Sequence, residues 1–343
     1  MRVLLLVCAT LFSLFLAELG LRFVFSPNQF LDRTTDAYWA ADFDQQMPTG
    51  DSDSRAVEAD TVFDPDLGWR MRPGYHAGNA QHNSRGFREN GLGGQADSNS
   101  LVLTIGDSFT YGLGVGDSET FSAVLSRETN RQVINAGVNA YGVDQALLMW
   151  ELEGKKTSPD TVILGFFVDD FFRNALSIRD RPKPCFVYDE STRAFRFQPI
   201  DLEGHQTANQ VTGTGSPLRV IDAASWMYRE LEVRLFPNFD EELQEKAKLS
   251  RFLLTRLDES VKASGAELLI VIIGNCFDQS PNYRWVESSI EEICETESLE
   301  CINVAASMRS SGSSRYFGSN CHWSREGHEF AAAEIKNALD SNR

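Results

Sequence analysis

The stretch LVLTIGDSFTYGLGV, Leu101 to Val115, decides how this chain is read. Its first five residues, Leu101, Val102, Leu103, Thr104 and Ile105, are rich in branched side chains and lack polar alternation, as in a strand buried on both faces of a parallel sheet. Gly106 then permits a sharp turn, with Ser108 just beyond it. Open α/β sheets bind ligands past the carboxyl ends of their strands, which puts the Ser108 hydroxyl within a substrate's reach. Gly-Asp-Ser is equally ordinary turn and helix-cap chemistry, and the tripeptide alone does not separate the two readings.

Downstream, strand and helix patterns alternate. Ser118 to Leu125 fits a capped amphipathic helix, Gln132 to Ala136 a second strand, and Val143, Ala146, Leu147 and Trp150 one face of a helix. Thr161 to Val168 fits a third strand. Residues 171–240 break this rhythm with a possible hairpin (Cys185 to Val187, Ala194 to Phe197), a Gly/Thr/Ser-rich loop and an aromatic-bearing helix near Ala223 to Phe236, and read as a lid-like insertion. Alternation returns with a helix from Leu243 to Val261, strands at Glu267 to Ile273 and Cys301 to Val304, and a closing helix through Ala331 to Leu339. Repeated βα units predict a three-layer α/β/α sandwich around a mostly parallel five-stranded sheet.

The chain has 343 residues, enough for one large core plus a smaller region. A formal charge of −17, with no Lys/Arg-rich run, argues against nucleic acid as partner and favours a neutral substrate. At the amino terminus, Arg2 precedes an uncharged apolar run from Val3 to Ala17. Residues 1–25 therefore read as an uncleaved membrane anchor or signal segment that leaves the rest of the chain outside the cytoplasm. Residues 26–61 read as a polar linker, and 62–343 as the main domain.

Six cysteines are present, one of them, Cys8, in the apolar run. Cys294 and Cys301 are close enough to close a small loop, and Cys276 and Cys321 both fall near the proposed site. No C-x-x-C or H-x-x-x-H spacing calls for a metal, and no G-x-G-x-x-G after the first strand calls for a dinucleotide cofactor. Upstream, Asp64 to Asn90 is dense in Gly, Pro, Arg and aromatics and reads as a loop-rich cover. Its Arg85, Phe87 and Arg88 either line a pocket or pack the segment onto the core.

A nucleophilic serine needs a base, and His322 is the best placed of the five histidines: it lies in the loop after the last strand, just before the final helix. His328 reads as structural. Together these blocks resemble the SGNH hydrolases, also called the GDSL family, and more narrowly their membrane-anchored bacterial members. GDSFTYGLGV matches the nucleophile block, NAGVNAYGVDQ the second, PDTVILGFFVDDFFRN the third and CHWSREGH the last, with a GWR...NSRGFR segment upstream. The match runs over about Val62 to Asn174 and Gly265 to Leu339. The resemblance implies a flavodoxin-like fold and hydrolysis or transfer of an acyl group, such as acetyl, on a carbohydrate or other small ester. It implies that Ser108 attacks and His322 takes the proton, with Asp107 beside the nucleophile. The second block would supply a backbone N–H for the oxyanion, at Ala140 where relatives have glycine, with Gly142 adjacent.

Two positions depart from the family. Asp169 stands where the family has the oxyanion-hole asparagine, and a carboxylate cannot donate a hydrogen bond. Asn320 stands where the family places an aspartate just ahead of the histidine. Asparagine can hold the ring but cannot stabilise the imidazolium. Three accounts are open: Asp169 is held protonated by an apolar site; His322 works in a dyad oriented by a backbone carbonyl or another carboxylate such as Asp170; or the site is degenerate and binds a glycan without turning it over.

Overall fold

The computed structural model describes residues 2–24, 35–36, 39, 60–91, 100–201, 218, 220–221, 223–225, 227–228, 231, 241–276 and 281–341. The linker expected over 26–61, the Gly/Thr/Ser-rich loop and the end of the aromatic-bearing helix lie largely outside these residues. The chain divides into two compact units: residues 1–56, 176–182 and 201–240 form one, and residues 57–175, 183–200 and 241–343 the other.

In the first unit a helix runs over Arg2–Val24. It exposes Leu11, Phe12, Phe15 and Leu19. Its one acid, Glu18, accepts hydrogen bonds from Arg22 at 2.6 Å and from the backbone N–H of Val220 at 3.0 Å, so it is neutralised inside the unit. Among the described residues, no helix is long and apolar enough to cross a membrane.

The second unit is built on five parallel strands: β1 (Leu101–Gly106), β2 (Gln132–Asn135), β3 (Thr161–Phe167), β4 (Glu267–Ile273) and β5 (Cys301–Asn303). They lie in the order β5-β4-β3-β1-β2. Every residue of β3 is buried, as its unbroken apolar sequence requires. The order reverses direction between β1 and β3, which makes the carboxyl ends of those two strands the topological switch point where such sheets bind ligands.

Right-handed crossovers then assign the helices to faces. The helix after β1, α1 (Phe121–Thr129), lies on one face, where it packs against α6 (Arg325–Ser341). The connections that run the other way, α2 (Val143–Leu152), α3 (Glu241–Ala263) and α4 (Pro281–Glu297), pack on each other on the opposite face. A short helix α5 (Val304–Ser310) follows β5 and is capped by Asn303, whose side-chain oxygen accepts from Ala306 N–H at 2.8 Å. This is the expected three-layer sandwich. The predicted hairpin also forms, Cys185–Asp189 against Ala194–Gln198.

The segment ahead of β1 packs rather than lining a pocket. Thr61–Asp64 pairs antiparallel with Gly68–Met71, and Phe87 is buried. The Arg88 guanidinium donates to the Asp117 carboxylate at 2.9 Å and to the carbonyls of Tyr111, Gly112, Val115 and Asn79, so the loop leaving the nucleophile turn is clamped from beneath. His328 is structural, as expected: its Nδ1 accepts the Phe121 N–H at 3.1 Å, and burial holds its pKa at about 3.

Two glycines seat the turn after β1. Gly106 and Gly165 are register partners in β1 and β3, and the Thr110 side chain fills the space that side chains there would take. Gly106, at φ +144, would also bring a Cβ to 2.7 Å from the Gly165 carbonyl oxygen. Replacing Gly165 by Ala should therefore push Thr110 and its turn off the sheet and destabilise the domain by about 1–3 kcal/mol, to be read as a lower midpoint in chemical denaturation.

Candidate active site

The site forms at the carboxyl ends of β1 and β3. After β1 the chain makes a single helical turn, Ser108–Tyr111, whose N-cap is Asp107. Asp107 Oδ1 accepts the Phe109 N–H at 2.9 Å, the usual cap bond, and this tightness presents Ser108 at the end of the strand. Ser108 Oγ lies 2.8 Å from His322 Nε2. His322 comes from the loop before α6, and its ring stacks on Phe109 with centroids 5.0 Å apart.

On the other side of the ring, Nδ1 lies 3.1 Å from the backbone carbonyl of Asn320. A carbonyl only accepts, so Nδ1 carries the proton and Nε2 is left to take one from Ser108, the tautomer a general base needs. The Asn320 side chain is not the ring's partner; its oxygen accepts the His322 backbone N–H at 3.2 Å and shapes the loop. Of the orienting groups expected for His322, the backbone carbonyl is the one present. Burial holds the His322 pKa below that of free imidazole, with Asp107 and the Asn320 carbonyl pulling it upward.

The loop is pinned by a disulfide between Cys276, just past β4, and Cys321, beside His322. With 45 residues between the bonded cysteines, the chain-entropy model assigns this link about 4 kcal/mol of stability. The second expected pair, Cys294 and Cys301, is also bonded, and the remaining cysteine of the domain, Cys185, is buried.

Arg173 was given no role by the sequence reading, yet it organises the floor of the site. It ends the turn Asp170–Arg173 that follows β3. Its Nη1 donates to Asp107 Oδ2 at 3.1 Å, to Asp170 Oδ1 at 3.0 Å and to the Tyr141 carbonyl at 3.2 Å, while Nη2 stands 3.8 Å from Asp169. These carboxylates hold its pKa above that of a free guanidinium against the opposing effect of burial. The spacing D-D-F-F-R, with acids three and four residues ahead of the arginine on one helical turn, is the sequence signal that could have exposed it.

Asp170 is therefore not the partner of His322. It is buried, accepts the Phe167 N–H at 3.2 Å, and has its pKa raised well above the ordinary range by burial and by Asp107. Asp169 does not sit in an apolar site. Its side chain is 31% exposed, and Tyr283, itself hydrogen-bonded to Asn275, places its hydroxyl on it. Arg173 and Tyr283 both turn donors toward Asp169, so toward these two it stands as an acceptor.

The second loop is held in a strained shape. Ala140 has φ +66, in the left-handed region that favours glycine. Its neighbours fix it there: Trp69 Nε1 donates to the Asn139 carbonyl at 2.9 Å, and Arg173 donates to the Tyr141 carbonyl. Gly142 is the N-cap of α2, and a Cβ there would fall 2.7 Å from Asp144 Oδ1 and 2.8 Å from Asn174 Oδ1. Asn174 Oδ1 in turn accepts the Val143 N–H at 2.8 Å, a cap supplied from another element and missed in the sequence. Thus Ser108, His322 and Asp107 touch directly, Asp169 joins through Arg173, and Ala140 and Gly142 lie on the loop that Arg173 also holds.

A separate concavity of about 320 Å³ is lined by Ser100, Arg131, Asp160 and Glu267 at the amino ends of the strands, the opposite edge from Ser108. No group of His, Cys, Asp and Glu among the described residues is arranged to hold a metal ion.

No protein-family model matches the chain, and no curated protein matches it. Among solved structures it is similar to Axe2, an acetylxylan esterase from Geobacillus stearothermophilus, at 14% identity, covering 72% of this chain and 96% of that one with a TM-score of 0.43. It is also similar to a lipase/acylhydrolase from Enterococcus faecalis, at 13% identity, 71% and 96% coverage and a TM-score of 0.44. A third is the psychrotrophic esterase EstA from Pseudoalteromonas, at 12% identity, 71% and 98% coverage and a TM-score of 0.41.

An alanine at φ +66 costs about 1–2 kcal/mol, partly offset by the chain entropy a glycine loses on folding. Ala140→Gly should therefore raise stability by up to about 1 kcal/mol, measured by thermal unfolding.

Proposed function

We propose that this protein is a serine esterase or acyl transferase of SGNH type that acts on O-acyl esters, with acetylated carbohydrate as the substrate class. The observation that carries this reading is the Ser108 Oγ to His322 Nε2 contact of 2.8 Å, with Nδ1 turned to the Asn320 carbonyl. Ser108 attacks the ester carbonyl as His322 takes its proton, giving a tetrahedral intermediate whose collapse leaves the acyl-enzyme. His322 then delivers that proton to the departing alkoxide and activates the water or acceptor hydroxyl that releases the acyl group. The Ala140 loop supplies backbone N–H for the oxyanion. Asp169, as an acceptor facing the solvent side, suits a hydroxyl of the sugar better than a negative oxygen.

We also infer that the chain is exported and tethered by its amino-terminal helix. The uncharged run from Val3 to Ala17 and the pair of disulfides, which persist in oxidising compartments, support this reading. A second reading, a glycan-binding domain without turnover, draws on Asp169 standing at the oxyanion position.

Turnover of p-nitrophenyl acetate distinguishes the two. The esterase predicts hydrolysis that falls by at least about 10³-fold in Ser108→Ala, together with phosphonate labelling of Ser108 in the parent protein. Glycan binding with neither turnover nor labelling would select the second reading.

The base must be neutral to accept a proton, and burial holds the His322 pKa below the ordinary 6.5. Activity should therefore be full above that pH and fall only as the pH drops through the lower folded-state value. A pH–rate profile of kcat/KM with its acid limb above 6.5 would contradict this.

A further inference from the structure

The Ser108 and His322 pair leaves one charge without a counterpart. When His322 takes the serine proton it becomes an imidazolium, and its Nδ1 faces a neutral carbonyl where a triad has an acid. Building on the esterase reading, we propose that Asp107, held beneath the nucleophile by Arg173, is the counter-charge that stabilises the protonated His322 during catalysis.

The geometry places this carboxylate on the opposite side of the ring from the usual acid. Asp107 Oδ2 lies 3.5 Å from Ser108 Oγ, which is itself 2.8 Å from His322 Nε2, so a single hydroxyl oxygen separates the carboxylate from the nitrogen that becomes charged. Asp107 is wholly buried, so little solvent screens the interaction. Burial raises its pKa, and the donors on its two oxygens, the Phe109 N–H at 2.9 Å and Arg173 Nη1 at 3.1 Å, oppose that by favouring the anion.

The other groups that bear on His322 do not replace it. Arg173 opposes a positive ring, Phe109 stacks on it, Asn320 offers its carbonyl, and His328 is neutral. Arg173 is also shared with Asp170 and Asp169, so its charge is not directed at Asp107 alone.

In the step itself, the Oγ–C bond forms as the Oγ–H proton passes to Nε2 and the carbonyl π pair moves to oxygen. When the tetrahedral intermediate collapses, the C–O bond to the leaving group breaks and Nε2–H returns its proton to that oxygen. Asp107 stays ionised throughout and exchanges no atom. Its placement fits a chain whose position ahead of the histidine is Asn320: the acid is supplied by the nucleophile's own turn.

The test is the imidazole titration of His322, followed by 15N NMR and assigned with His322→Gln. Two substitutions keep the cap of the 108–111 turn while removing the charge, Asp107→Asn and Asp107→Ser. In either folded variant the His322 pKa should fall by about one unit or more, the acid limb of kcat/KM should move down with it, and plateau kcat should drop about 10²–10⁴-fold with little change in KM. An unshifted titration in a folded variant overturns the proposal. Should both variants fail to fold, the parent protein decides: the 13C resonance of the Asp107 carboxyl must show an inflection at the His322 titration, and a flat response overturns the proposal. Failure of the esterase reading shows separately, as absence of turnover and phosphonate labelling in the parent protein.

Discussion

One guanidinium sets the geometry of this site. Arg173 holds the carboxylate ahead of the nucleophile, two carboxylates of its own turn and a carbonyl of the neighbouring loop, and so ties together the segments that follow β1, β2 and β3. Its removal would leave Asp107 and Asp170 buried without a cation, a change that typically costs 3–5 kcal/mol. The pairing is therefore better understood as fixing the relative position of three loops than as a net source of stability. Arg173, from the turn after β3, answers the buried Asp107 and favours its charged form against the effect of burial.

Around that centre, rigidity is supplied from several directions. Arg88 saturates the carbonyls of the loop behind Ser108, Trp69 holds the loop carrying Ala140, and the Cys276–Cys321 bridge fastens the segment that brings in His322. The upstream GWR and NSRGFR stretches thus act as braces for the site's loops. A residue strained at φ +66 persists here because both flanking carbonyls are taken.

Much of this was legible in the sequence because it is local. The strands β1 and β4 are continuous apolar runs, and their observed bounds match the apolar pattern to within about a residue. Ser108 and His322 were visible because a glycine-flanked turn and a histidine before the last helix are each short, ordered signals. What escaped were interactions made between elements. Arg173 carries its meaning through partners on two other loops, and the Asn174 cap on α2 joins residues far apart in the chain. Asn320 shows the same limit: the sequence left a backbone carbonyl among the open ways of orienting His322, and only the conformation of the loop turns the carbonyl of Asn320 itself to the ring. An apolar site around Asp169 was one of three accounts the sequence left open, and Tyr283, brought by α4, gives it a polar neighbour instead.

The nucleophile and its base are separated by 214 residues. The segment that joins them carries β2 to β5, and closing so long a loop is among the entropically costly events in assembling the domain. The contact between Ser108 and His322 is thereby a late product of folding: during synthesis the serine stands without its imidazole partner until the segment ahead of α6 has emerged and joined the sheet.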